Sequence, residues 1–150
     1  MQTSSTTDSA TAINFKRTTS KFQEYDIRKG TFLQGEYVMF TIGTEADDGT
    51  TYKVQRTDDD IYSLRKLMMV ATPHVMVPPL PKKTLKTAPK KIHKRQRLYQ
   101  RFVNAVHKSE ILKTSKAFFN FISMSERNEW LQAVKTSERT KIFDLVTDDG

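Results

Sequence analysis

VPPLPKKTLKTAPKKIHKRQRLYQRF, residues 77–102, joins a proline-rich turn to a dense basic run and then to an amphipathic helix. Proline fixes φ and removes a backbone donor, so Pro73, Pro78, Pro79, Pro81 and Pro89 make residues 71–89 an extended connection. Beyond it Ile92, Tyr99, Phe102 and Val106 recur at helical intervals, with Leu98 and Ala105 beside them, which predicts a long helix over 90–107. Residues 82–108 hold ten Lys or Arg and no Asp or Glu. The whole chain is +8, so everything outside that segment sums to −2. The positive charge is therefore one localised patch, and such a patch attracts a polyanion.

Upstream the pattern changes to strands. Residues 37–44 alternate, with Val38, Phe40 and Ile42 on one face and Tyr37, Met39 and Thr41 on the other, which predicts a half-buried strand. Asp48-Gly49 marks a tight turn, 51–55 a return strand, and 22–28 a first strand. Thr57-Asp58-Asp59-Asp60 then supplies capping oxygens and dipole-favouring carboxylates ahead of Ile61, Leu64, Leu67 and Met68, so a helix is expected over 58–70. Downstream, Phe118, Phe119, Phe121 and Ile122 predict a helix over 115–122, and Trp130, Leu131 and Val134 another over 126–136. Strands followed by helices give an α+β fold: a small three-stranded antiparallel sheet packed against a helical subdomain, with the proline-rich loop between the first two main helices. Residues 1–20, rich in Ser and Thr, are expected to be a disordered tail. Residues 21–123 form the domain, and 124–150 a C-terminal helical extension. Its last apolar residues, Ile142, Phe143, Leu145 and Val146, suggest that it leads to a further domain.

A chain of 150 residues suits one domain with a real core. No cysteine is present, which rules out disulfides, thiolate metal sites and a cysteine nucleophile and fits a cytoplasmic setting. No stretch approaches the ~20 apolar residues of a membrane span, so membrane contact is expected to be peripheral. His74, His93 and His107 are too scattered for a metal motif, no glycine-rich phosphate loop occurs, and no carboxylate pair is placed for acid–base work. We expect no enzyme and no cofactor. Nucleic acid is not expected either, because Tyr99 and Phe102 are spaced for a core and not for base stacking.

A strand hairpin, a helix, a loop reading P-P-x-P-K-K and a helix reading K-R-x-R with L-x-x-x-F resemble the PX (phox homology) domain of sorting nexins over roughly residues 22–122. The resemblance implies a phosphoinositide-binding module, most often for the 3-phosphate form, recruited from the cytoplasm to the periphery of endosomal membranes. The family's pocket uses an R-R-[YF]-x-x-F motif, whose second Arg holds the 3-phosphate and whose aromatic residue stacks under the inositol ring. A Lys after the proline-rich turn holds the 1-phosphate, and an Arg early in the long helix bonds the ring hydroxyls. On this resemblance Lys83 is the loop Lys and Arg95 the helix Arg. Arg95 also stands out by itself: it shares the inward face of Tyr99 and Phe102, and a charge there needs a partner. A solvated boundary position or an internal ion pair would supply one as well as a headgroup.

The first motif does not carry over. Ile61 fits its final Phe and Leu64 the apolar position that follows, so Arg56 takes the first Arg position, Thr57 replaces the phosphate-holding Arg and Asp58 the aromatic. Losing a charged hydrogen bond and a ring platform together weakens binding by roughly 100-fold. Asp58, Asp59 and Asp60 would add opposing charge at the pocket mouth, although helix capping is the favoured account of them and both can hold together. The pocket inherited from the family is thus expected to be impaired, with Arg56, Lys83 and Arg95 at its family positions. A basic patch remains in Lys82, Lys86, Lys90, Lys91 and Lys94, with Arg97 and Arg101 nearby. It suits an anionic leaflet, into which Leu85 and residues 75–77 could dip, unless it is simply a solvated face. Two functions follow: a peripheral lipid-binding module with weak or altered phosphatidylinositol 3-phosphate binding, or a PX-fold surface that has lost lipid and binds a trafficking protein.

Overall fold

A computed structural model describes residues 18–31 and 35–149. Residues 1–17, most of the expected tail, lie outside them; Thr19 and Ser20 at its end already belong to the first strand. Strands β1 (Thr19–Lys29), β2 (Glu36–Glu45) and β3 (Thr51–Thr57) form an antiparallel sheet in the order β1-β2-β3. Helices α1 (Asp58–Ala71), α2 (Pro89–His107), α3 (Glu110–Lys113), α4 (Lys116–Ser123) and α5 (Arg127–Asp149) follow. Together they make the expected α+β architecture, with the proline-rich connection between α1 and α2.

Local chemistry sets the boundaries. Asp47-Asp48-Gly49 closes the β2–β3 hairpin, with Gly49 at φ 88°, a left-handed value that a glycine adopts without a Cβ penalty. Thr57 caps α1 through a capping box: its hydroxyl accepts from the Asp60 N–H, and the Asp60 carboxylate accepts from the Thr57 N–H. Pro89 opens α2, where a missing N–H costs nothing. Ser109 and Ser115 cap α3 and α4.

The core lies between the inward face of the sheet and the helices. Val38, Phe40, Ile42 and Val54 meet Ile61, Leu64 and Met68 of α1, the Ile92–Val106 face of α2, Phe118, Phe121 and Ile122 of α4, and Trp130 of α5. Each such side chain contributes about 1.5–3 kcal/mol on leaving water. Helix α2 is also stitched to β1: Gln100 accepts from the Phe22 N–H (2.8 Å) and donates to the Ser20 carbonyl (2.7 Å), next to the register irregularity after Phe22.

Four expectations are corrected. Strand β2 is buried on both faces, because Met39 and Thr41 are flanked by Asp26 and Thr57 and by Glu24 and Gln55 of the adjacent strands. Val103 joins the buried face of α2, while Leu98 and Ala105 are only half-buried, so the apolar stripe is rotated from the expected one. Helix α3, four residues long, was not anticipated. Helix α5 runs on past Thr136 to Asp149.

Candidate functional site

Three consecutive aspartates at the start of α1 organise the region. Asp58 is 3% exposed and takes Arg95 of α2 in a two-point ion pair, Nε to Oδ1 at 2.9 Å and Nη2 to Oδ2 at 3.3 Å. The Tyr99 hydroxyl donates to the same Oδ1 at 2.5 Å. Burial, followed by that bond to a carboxylate, pushes the Tyr99 phenol well above its ordinary range, so it stays a donor. The third arm of Arg95, Nη1, donates to the Lys86 carbonyl at 2.7 Å.

Asp59 pairs with Lys83 of the proline-rich loop, whose ammonium also lies 5.8 Å from the Tyr62 ring centre. Both partners of that pair are largely exposed. Asp60 closes the capping box and receives Arg127 of α5 through Nε at 2.9 Å and Nη2 at 3.0 Å. Helix capping and ion pairing therefore coexist in this one run, divided among its members.

Lys83 and Arg95 are thus brought together, each held by one of two adjacent carboxylates. Arg95 takes the internal ion pair that its inward position allowed. Arg56 is elsewhere. Its side chain has no exposed surface. It donates to the carbonyls of Gln55 (2.8 Å), Asn120 (3.4 Å) and Met124 (2.7 Å), and lies 5.5 Å from the Phe121 ring centre and 5.3 Å from that of Trp130. It caps the C-terminal end of α4, where free carbonyls concentrate partial negative charge. Desolvation brings its guanidinium pKa down to about 10, which leaves it charged at neutral pH. The structure does not bring Arg56 to the surface that carries the lysines.

Two clefts flank the proline-rich loop. The inner one, about 430 Å³, lies between the β1–β2 turn, the start of α1 and Leu85. Glu36, Asp58 and Asp59 face it alongside Lys29 and Arg127, and Arg127 is already committed to Asp60. The outer one, about 340 Å³, opens between loop residues 81–86 and α2 and has lysines but no acid on its wall. Lys82, Lys86, Lys90, Lys91 and Lys94 are all exposed, and none pairs with a carboxylate among the described residues. The loop between is pinned to α1 by the Tyr62 hydroxyl on the Pro81 carbonyl (2.5 Å) and by Arg65 Nε on the Pro78 carbonyl (2.7 Å). Met76, 91% exposed, and Leu85, 53% exposed, stand out from it into solvent.

Sequence reasoning missed Tyr62, Arg65 and Arg127. Arg127 lies 67 residues from Asp60 and nothing local announces the pair. Arg56 could have been placed correctly: period-2 alternation puts it on the Val54 face, opposite Phe40.

No helix among the described residues is long and apolar enough to cross a membrane. Comparison with curated protein sequences returns no match. Solved structures that share the fold include two PX domains. A designed CISK-PX domain is 20% identical, with a TM-score of 0.60, over 69% of this chain and 96% of that one. The mouse SNX19 PX domain, solved with a bound sulphate ion, is 13% identical, with a TM-score of 0.52, over 69% and 92%. The family model for the PX domain matches residues 45–125, from the end of β2 through α4, which is just over half of the chain. With the antiparallel hairpin and the proline-rich connection between the first two main helices in place, this chain is a member of the PX-domain family.

Proposed function

We propose that this PX domain is a peripheral membrane module of a sorting nexin-like trafficking protein. It engages phosphoinositide-bearing anionic membranes, endosomal ones in the first instance, chiefly through its lysine-rich face. PX domains are in general non-enzymatic phosphoinositide-binding modules, and that supports the class of ligand. One observation carries the finer reading: the two basic residues at the family's ligand positions are paired with the chain's own carboxylates, while the neighbouring lysines are not. A 3-phosphate reaching Lys83 and Arg95 has to displace Asp59 from the one and compete with Asp58 for the other, without the second Arg or the aromatic platform. Binding of phosphatidylinositol 3-phosphate there is therefore weak. Lys82, Lys86, Lys90, Lys91 and Lys94 supply the attraction instead, each worth on the order of 1 kcal/mol at an anionic leaflet, while Met76 and Leu85 give the loop a small apolar foothold. The bound sulphate of the mouse SNX19 domain fits a fold suited to anions.

The same ion pairs favour a second reading, a PX-fold surface that binds a trafficking protein and no lipid. Flotation with a panel of phosphoinositide vesicles at physiological salt separates the two. Phosphoinositide-dependent binding above a phosphatidylserine control of equal charge supports the first. Absence of binding to every vesicle, with a trafficking protein recovered by the purified domain, establishes the second.

A further inference from the structure

We propose that the open half of the β1 edge, residues 25–29, is a homotypic interface that pairs antiparallel with the same segment of a second copy, about a two-fold axis at Ile27. The interface is independent of the membrane reading above. Strand β1 lies at one side of the sheet, and its ladder to β2 decides which of its backbone groups are spare. Hydrogen-bonded and non-hydrogen-bonded pairs alternate along an antiparallel ladder. Gly30 donates to the Gly35 carbonyl at 2.7 Å, so in the same register Arg28–Tyr37 and Asp26–Met39 are bonded pairs. Tyr25, Ile27 and Lys29 occupy the pairs between and turn their N–H and C=O groups outward.

The other half of this edge is closed. Gln100 bonds the Phe22 N–H and the Ser20 carbonyl, Gln96 donates to the Phe22 carbonyl at 3.4 Å, and the register irregularity after Phe22 ends that stretch. Beyond it α2 meets Tyr25 through the His93 ring at 5.5 Å. Among the described residues, no hydrogen bond from another element reaches the backbone of Tyr25, Ile27 or Lys29. Glu24, Asp26 and Lys29 are exposed, and Ile27 is an apolar side chain left 39% exposed. A bare strand edge carrying an exposed apolar side chain is a template for a further strand.

Charge selects the occupant and its register. Opposite charges facing each other across two strands stabilise the pair, and like charges there oppose it. A two-fold axis at Tyr25 would set Glu24 against the second copy's Asp26. An axis at Asp26 or at Arg28 would set that residue against itself. An axis at Ile27 sets Asp26 against the second copy's Arg28 on both sides of the centre, Tyr25 against its Lys29, and Ile27 over its Ile27. The same axis joins the outward N–H and C=O groups of Tyr25, Ile27 and Lys29 to one another. The exposed Asp26–Arg28 bridge within one chain, 3.2 Å long, is exchanged for two such bridges between copies. Charges that repel slipped pairings thus admit this one. Five residues on each side bury little surface, so the dimer is weak and transient.

Sedimentation velocity on the full chain over a range of concentrations measures the association, and cysteine cross-linking reads its register. The chain has no cysteine of its own, so any disulfide is assignable. Ile27→Cys puts two thiols across the axis, at a Cα separation of about 5.5 Å that a disulfide can span. Lys66→Cys, exposed on α1, reports random collision. Ile27→Pro removes the central outward donor and spares the ladder to β2, in which that N–H takes no part. A concentration-dependent dimer is expected, with the Ile27→Cys disulfide forming about tenfold or more faster than the Lys66→Cys one. Association is expected to weaken about tenfold with Ile27→Pro, Asp26→Arg or Arg28→Asp. An equimolar mixture of the Asp26→Arg and Arg28→Asp chains is expected to associate again, since each presents the charges that the other attracts. Mixing cannot rescue a misfolded chain, and circular dichroism checks the fold of each variant. A chain that stays monomeric at every concentration overturns the interface. So do cross-linking at Ile27→Cys no faster than at Lys66→Cys, a dimer untouched by Ile27→Pro, and a mixture that associates no better than its separate components.

Discussion

Asp58 and Asp59 are neighbours with opposite energetic roles. Asp58 and Arg95 are both 3% exposed, so removing one charge strands the other in a low-dielectric interior. Asp58→Asn is expected to lower unfolding free energy by about 3 kcal/mol or more, read by urea denaturation. Arg95→Ala carries the same penalty, so a loss of vesicle binding in that variant has to be checked against loss of fold. Asp59 and Lys83 are solvated, and such a pair is worth at most about 1 kcal/mol. Asp59→Asn is therefore expected to leave the urea midpoint almost unmoved and, by freeing Lys83, to raise binding to phosphatidylinositol 3-phosphate vesicles a few-fold in flotation. An unchanged or weakened interaction would show that Lys83 takes no part. Arg56→Met removes the donor that satisfies the carbonyls of Asn120 and Met124 and is expected to cost about 2–4 kcal/mol, measured the same way.

At the level of elements, His107 at the end of α2 joins three neighbours. Its Nε2 lies 2.9 Å from the Ser20 hydroxyl of β1, its ring meets Phe118 of α4 edge-on at 5.0 Å, and Lys113 of α3 adds positive charge. Burial first, and Lys113 second, bring its pKa down from 6.5 to about 4. The unfolded chain therefore binds a proton in that interval that the folded chain refuses. Stability from this group is complete above pH 6.5 and falls as pH drops toward 4. Between pH 7.5 and 5 the unfolding free energy should decline by ~2 kcal/mol, and His107→Gln should remove most of that slope. Most elements were legible because their periodicities are strong: alternation in β2, the 3–4 spacing in α1 and α2. Helix α3 was not, since four residues carry too little pattern, and Val103 was missed because α2 packs against both the sheet and α3, which rotates its apolar stripe toward Val103 and away from Leu98 and Ala105. That Arg95 needs a partner was legible from its place on the inward face of α2. The carboxylate partners of Lys83 and Arg95 were not, because register places Asp58 and Asp59 at the pocket without saying whether they face a ligand or replace it.

Across the whole molecule, charge is sorted by place. The acids at the start of α1 are spent on pairs within the chain, while Lys82 and Lys86 of the loop and Lys90, Lys91 and Lys94 of α2 face outward with no carboxylate partner among the described residues. Attraction through exposed ammonium groups is screened over about 10 Å at 0.1 M salt and about 3 Å at 1 M. Vesicle binding should therefore weaken by more than tenfold between 0.1 and 0.5 M NaCl, with the urea midpoint nearly constant because Asp58–Arg95 is shielded from solvent. The aspartate run has one more consequence. Consecutive residues of a helix point roughly 100° apart, which is why three adjacent carboxylates can reach α2, the loop and α5 separately. Adding or deleting a single residue ahead of Asp58 would swing all three away from their partners in one step, so the first turn of α1 is fixed in length by three separate contacts at once.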